Sequence, residues 1–220
     1  MQNVSRLIYG VVISVLLPII LNYAMGSMPT DDAPAEVLTL IRILVILMLG
    51  MMLAMISGVT FGGVGFLESK DQLWIIKSAP NGVRKFAKAR IIGSFILILP
   101  MAIIPSVVSA VVFQFNIFEA LVIIAYAYWT TCGAVLLCAG VTANNPAYED
   151  QKSSAFLLNT FVSLFAVIGI LILSLIVSFG FMAGETNLLL FMLTVSTPMI
   201  VVGAIVYAIG IVRMSRPDKN

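Results

Sequence analysis

Histidine is absent from the 220 residues, cysteine occurs twice, and only 10% of the residues carry charge. Without histidine there is no H-E-x-x-H metal pair and no Ser–His dyad. Two cysteines exclude a disulfide-stapled secreted module, and a net charge of +2 without a basic stripe excludes a nucleic-acid binder. The shortage of charge is matched by an excess of apolar residues. At 61% hydrophobic the chain lies well outside the roughly 45–50% apolar and about 25% charged composition of soluble domains, which rules out both a water-soluble fold and a disordered one.

The 22 charged residues cluster in gaps that leave six charge-free spans: Leu7–Met25, Ile43–Leu67, Ile91–Phe115, Ala120–Ala143, Ser153–Phe181 and Thr186–Val212. A bilayer core about 30 Å thick needs roughly 20 helical residues per crossing, and no alternating pattern of a membrane β-barrel is present. The expectation is an all-α integral membrane protein, one transmembrane domain over 1–220. Its six helices should run over about 7–25, 43–66, 91–113, 120–142, 156–180 and 188–212, joined by a cytoplasmic segment at 68–90.

Lys and Arg set the orientation, because basic residues in short loops are retained on the cytoplasmic side. Arg6, the six basic residues between 70 and 90, Lys152, Arg213, Arg216 and Lys219 fall on one side, and Arg42 alone on the other. Asp31, Asp32, Glu36, Glu119 and Glu185 share the side of Arg42. Both termini are therefore expected in the cytoplasm, with external loops at 26–42, 116–119 and 182–187. The first span can also be read as a signal peptide ending near Ala24-Met25-Gly26, although its length and Pro18 suit a retained helix better.

No ionisable residue and no carboxylate pair lies inside a span, so a proton relay and an aspartyl protease both lack their groups. Cys132 and Cys138 read as small packing residues. Ala54, Gly58 and Gly62 form a small-xxx-small stripe suited to close helix packing, either within the bundle or at a dimer face, and Gly203, Ala204 and Ala208 do something similar. Pro18, Pro100, Pro105 and Pro198 should kink their spans. Asn22, Gln114 and Asn159 are the strongest polar side chains in or near the spans, serving either as interhelical hydrogen-bond partners or as contacts along a substrate path.

The segment 68–90 holds eight of the 22 charges. Leu73-Trp-Ile-Ile76 is a short apolar block, Pro80-Asn81-Gly82 is a turn signal, and Val83, Phe86 and Ala87 share a face opposite Arg84, Lys85 and Lys88. The pattern predicts helix, turn and helix at the membrane surface, where an interfacial amphipathic loop is the simplest use.

A transmembrane pair followed by an acidic residue, then Leu-Trp-Ile-Ile-Lys-Ser-Ala-Pro, then a basic stretch running into the next helix resembles the cytoplasmic coupling segment of exporter-type ABC transporter permeases. Glu68, Trp74, Lys77, Ser78, Pro80 and Lys88 fill the matching places, and Asn145-Pro146-Ala147-Tyr148-Glu149-Asp150 resembles the second cytoplasmic loop of that family through Pro146, Tyr148 and Glu149. The motif-level likeness covers about 60–95 and 140–160. It implies a permease subunit that is not itself an enzyme and binds no cofactor, working in a prokaryotic cell membrane with a separate ATP-binding subunit that supplies ATP and Mg. It also implies a second permease copy, identical or related. Partner contact would fall on Glu68, Trp74, Ile75, Ile76, Lys77, Pro80 and Lys85. Consistent with energy supplied in trans, no G-x-x-x-x-G-K-[ST] phosphate cradle occurs in the chain. A secondary transporter or channel, or a multi-pass scaffold without ATP coupling, are the competing readings.

Overall fold

In a computed structural model the residues 2–26, 35–63, 73–145, 154–181 and 188–215 are described. Among them there are seven α-helices and no strand: α1 (Gln2–Gly26), α2 (Ala35–Ser57), α3 (Leu73–Ser78), α4 (Gly82–Val112), α5 (Ile117–Asn144), α6 (Ser154–Phe181) and α7 (Leu188–Met214). A six-residue π-helical stretch, Gly58–Gly63, continues α2. Five helical stretches are long and apolar enough to cross a membrane: Arg42–Gly63, Gly82–Val112, Ile117–Asn144, Ser154–Gly180 and Leu189–Met214. The chain is therefore a multi-pass helical membrane protein. The first expected span falls on α1, whose apolar stretch is shorter, Ile8–Ile20.

The interior is assembled around α5. Its middle reads Thr-Thr-Cys-Gly-Ala-Val (130–135), small residues that are all buried. In lipid there is no hydrophobic drive between apolar helices, so association depends on close backbone approach and van der Waals contact. Gly133 and Gly140 of α5 lie seven residues apart, as do Gly203 and Gly210 of α7, and the two pairs meet in register. A Cβ on Gly203 would collide with the Gly133 carbonyl oxygen, and one on Gly210 with that of Gly140. In the other direction, a Cβ on Gly133 would lie 2.7 Å from the Met199 carbonyl carbon. Because residue numbers rise together along the seam, α5 and α7 are parallel.

The opposite flank of α5 receives α2 in the same manner. Gly50 faces the Tyr126 ring, a Cβ on Gly58 would lie 2.9 Å from Cys138 Sγ, and one on Gly62 would lie 2.6 Å from the Val135 carbonyl oxygen. The Ala54–Gly58–Gly62 stripe is thus occupied within the chain, not at a dimer face, and Ala54 is fully buried beside Ala134 and Cys138. Both cysteines are free thiols buried in the bundle. Helices α4 and α6 also pack on α5, and α1 lies outside them against α4 and α2.

On α6 the usual pattern of soluble proteins is inverted. Asn159, Ser163, Ser174 and Ser178 are buried, while Phe161, Phe165, Leu173 and Ile176 are exposed, as a helix surrounded by hydrocarbon requires. Some buried hydroxyls return to their own helix, Ser174 Oγ donating to Ile170 O at 2.6 Å and Thr131 Oγ1 to Ala127 O at 2.6 Å, whereas the hydroxyls of Ser106, Thr130, Ser163 and Ser178 are buried without a hydrogen-bond partner among the described residues.

Several boundaries differ from expectation for local reasons. The basic stretch 83–90 is not a separate surface helix but the first two turns of α4, which runs unbroken from Gly82 through Pro100 and Pro105. Lys, Arg and Ala are good helix formers, and no turn residue separates them from the apolar run. The expected external loop at 116–119 is instead the start of α5. Asn116 Oδ1 accepts from the Glu119 amide at 2.8 Å and Glu119 Oε2 accepts from the Asn116 amide at 2.9 Å, a reciprocal capping box. Arg42 lies with its guanidinium carbon 5.8 Å from the Phe115 ring centroid.

The seam makes a specific prediction. Gly203→Val should destabilise the protein by about 1–3 kcal/mol, because backbone cannot yield to the added atoms, lowering the melting midpoint in detergent by roughly 3–10 °C. Gly169→Ala, where an added Cβ meets nothing within 4 Å, should leave that midpoint unchanged or slightly raised.

Candidate functional site

The short helix α3 and the start of α4 form a helical hairpin at one end of the bundle. Pro80 and Asn81 make its tip: the Gly82 amide donates to Ala79 O at 2.9 Å, and Asn81 adopts a left-handed conformation with φ of 56°. Gly82 is required there, since a Cβ would strike the Ile76 carbonyl oxygen. Ile76 packs against the bundle core together with Phe86, and Val83 and Ala87 are buried beneath the hairpin. Ile75, Ser78, Pro80, Asn81, Arg84, Lys85 and Lys88 are exposed.

Of the expected partner-contact residues, the structure therefore brings Ile75, Pro80 and Lys85 to the exposed side of the hairpin and Ile76 to its anchored side. Trp74 and Lys77 lie on α3, although their side chains lie outside the described residues, as do Glu68, Pro146, Tyr148 and Glu149 entirely. The exposed surface carries three cations next to an apolar residue and a proline tip. Such a surface can seat an apolar knob and fix its register by charge.

The three polar residues considered for a substrate path do not converge. Asn22 is exposed near the end of α1, and Gln114 is exposed at the α4–α5 turn with φ of 52°. Asn159 is buried, and its Nδ2 donates to Asn145 O at 2.6 Å while its Oδ1 accepts from Asn145 Nδ2 at 3.2 Å. Alongside, Arg213 donates to Asn144 Oδ1 at 2.9 Å. Together these bonds tie α5, α6 and α7 at the hairpin end. Asn144-Asn145 at the close of the fourth span and Asn159 early in the fifth were visible in the sequence, but their pairing depends on how the helices converge.

Among the described residues, two apolar grooves lie between helices at the side of the bundle. One apolar groove of about 340 Å³ lies between α5 and α7 at the end away from the hairpin, lined by Phe118, Leu121, Trp129, Met192 and Leu193 among others. A second, of about 360 Å³, lies between α2 and α6 and includes Leu44, Met48, Leu171 and Phe179. Tyr126 lines both. Among the described residues no group of three or more His, Cys, Asp or Glu side chains could hold a metal.

The clamp at the hairpin end should be worth measuring. Asn159→Ala removes a buried interhelical pair and should lower stability by about 0.6–2 kcal/mol. Arg213→Ala, at an exposed contact, should stay within about 0.5 kcal/mol of wild type; both are read from melting midpoints of the purified protein. Comparison with family models, curated proteins and solved structures finds no match, so any functional reading must be built from the chain's own residues.

Proposed function

We propose that this chain is the membrane-spanning permease subunit of an ATP-driven ABC-type exporter in a prokaryotic cell membrane, with six spans and both termini cytoplasmic. The observation that carries the reading is the hairpin: Ile75 on α3, Pro80 at the tip and Lys85 in the first turn of α4 share an exposed side, and α4 continues unbroken into the bundle. A displacement applied there by an ATP-binding subunit is passed directly into α4. ATP and Mg belong to that partner, and this chain performs no hydrolysis. Because α5 fills the middle of the bundle, the transport path lies between this chain and a second permease copy or relative. The filled interior also suits a multi-pass scaffold that moves no solute, and the experiment below separates the two.

The decisive test is co-purification from native membranes with a stoichiometric subunit carrying a phosphate-cradle motif, followed by reconstitution in vesicles. Trp74→Ala and Lys77→Glu should each leave the complex folded yet lower transport-linked ATPase activity at least tenfold. Unchanged coupled activity in both variants, or a partner without the motif, overturns the assignment. Topology is tested separately. Since Cys132 and Cys138 are buried, Lys85→Cys and Gln114→Cys can be labelled in the native background, and a membrane-impermeant thiol reagent should reach them from opposite sides of the membrane, Lys85→Cys from the cytoplasm.

A further inference from the structure

A third groove, of about 250 Å³, differs from the other two in chemistry. It is lined by Phe61, Phe86, Ala89, Arg90, Gly93, Ser94 and Leu97, and so joins a guanidinium and a hydroxyl to an apolar wall. We propose that it binds an anionic phospholipid, with the phosphate at Arg90 and the glycerol and first acyl carbons running along Gly93 and Leu97. The inference is independent of whether the chain is a permease.

Depth supports this occupant. Arg90 is the last charged residue before the apolar run of α4 that begins at Ile91, which sets its half-buried guanidinium at the boundary between headgroups and hydrocarbon. Leu97 is seven residues further, about 10 Å deeper along the helix. A ligand filling the groove must therefore be charged at one end and apolar at the other, a description that fits a phospholipid and not a free anion.

Charge supports the sign. Arg84, Lys85 and Lys88 are exposed on the two turns of α4 that precede Arg90, and clustered cations beside a helix end attract anionic headgroups.

Shape supports the fit. An added Cβ at Gly93 would meet nothing within 4 Å, so the wall is open to the bilayer where an acyl chain must leave. Ser94 is buried one turn below Arg90 and adds a polar residue to the groove lining. At roughly 30 Å³ for each water-sized group, the groove takes about eight such groups: a phosphate and glycerol, with the remaining acyl chain lying in the membrane.

The test uses the full chain, delipidated in a neutral detergent, with three probes: dioleoyl phosphatidylglycerol, dioleoyl phosphatidylcholine and soluble glycerol 3-phosphate. Binding is followed by native mass spectrometry and by the shift in melting midpoint. Phosphatidylglycerol should bind and raise the midpoint, with phosphatidylcholine at least roughly tenfold weaker. Arg90→Ala and the groove-filling Gly93→Leu should each weaken phosphatidylglycerol binding roughly tenfold, with Arg90→Lys intermediate. If Arg90→Ala does not fold, Gly93→Leu decides, because it keeps the charge and removes only the space. Equal binding of the two lipids, full retention by a folded Gly93→Leu variant, or displacement of the lipid by glycerol 3-phosphate at matched concentration would each overturn the proposal.

Discussion

Close backbone contact between α5 and its two parallel neighbours is the constraint on which the rest of the bundle depends. Gly133 and Gly140 accept α7 through Gly203 and Gly210, and Gly58 and Gly62 bring α2 against the other flank of α5. Apolar side chains gain nothing by leaving lipid for one another, so contact density between backbones has to supply the specificity. Two glycines seven residues apart fix both the register and the parallel direction, because a shift of one turn would place a side chain against a carbonyl. Once those three helices are joined, α4 and α6 have defined surfaces on α5 to occupy, and their polar residues face inward where hydroxyls can return to backbone carbonyls.

The seam also explains where the cavities lie. Around a central helix packed this tightly, two of the open spaces among the described residues are grooves at the side of the bundle: one between α5 and α7 beyond the last close glycine contact, and one between α2 and α6. Larger side chains than those at the seam, such as Phe118, Trp129 and Phe179, border these grooves. The polar bonds that join three helices, through Asn145, Asn159, Asn144 and Arg213, sit at the hairpin end, where water is near and a charged guanidinium costs least.

Much of this was legible in the sequence, unevenly. Positions of the charges marked the five long apolar helices, because each crossing has to exclude charge over a length fixed by the bilayer, and came within three residues of both ends of α5, α6 and α7; α2 and α4 begin eight and nine residues earlier than the expected spans, since charged residues there are taken into the helices. The Ala54–Gly58–Gly62 stripe was legible as packing but not as to partner, since small residues report that a helix approaches closely and not which one. The α5–α7 register was hidden for the same reason: Gly133 and Gly210 have meaning only as a pair across two helices. The Asn116–Glu119 capping box, by contrast, is a local motif, and a reading of 116–119 as a loop passed over a signal that was present. The π-helical stretch at Gly58–Gly63 has no counterpart in local periodicity and reflects how α2 settles against Val135 and Cys138. For the candidate site, the apolar block, the turn and the amphipathic face of Val83 and Ala87 were all readable; the anchoring of Ile76 and the groove at Arg90 required the third dimension.

Continuity of α4 connects these features. Its 31 residues extend about 46 Å, from the hairpin tip to the turn at Gln114. The half nearest the hairpin has no proline, whereas Pro100 and Pro105 each remove a backbone donor in the far half. A displacement imposed at Asn81 would therefore reach Arg90 and Ser94 through unbroken helix before the first backbone donor is lost at Pro100. Any ligand in the groove beside Arg90 lies along the proline-free part, between the hairpin and Pro100. On the proposed permease reading, a lipid bound there would load the same stretch of α4 that a displacement of the hairpin must move, so lipid occupancy and coupling would act on one helix.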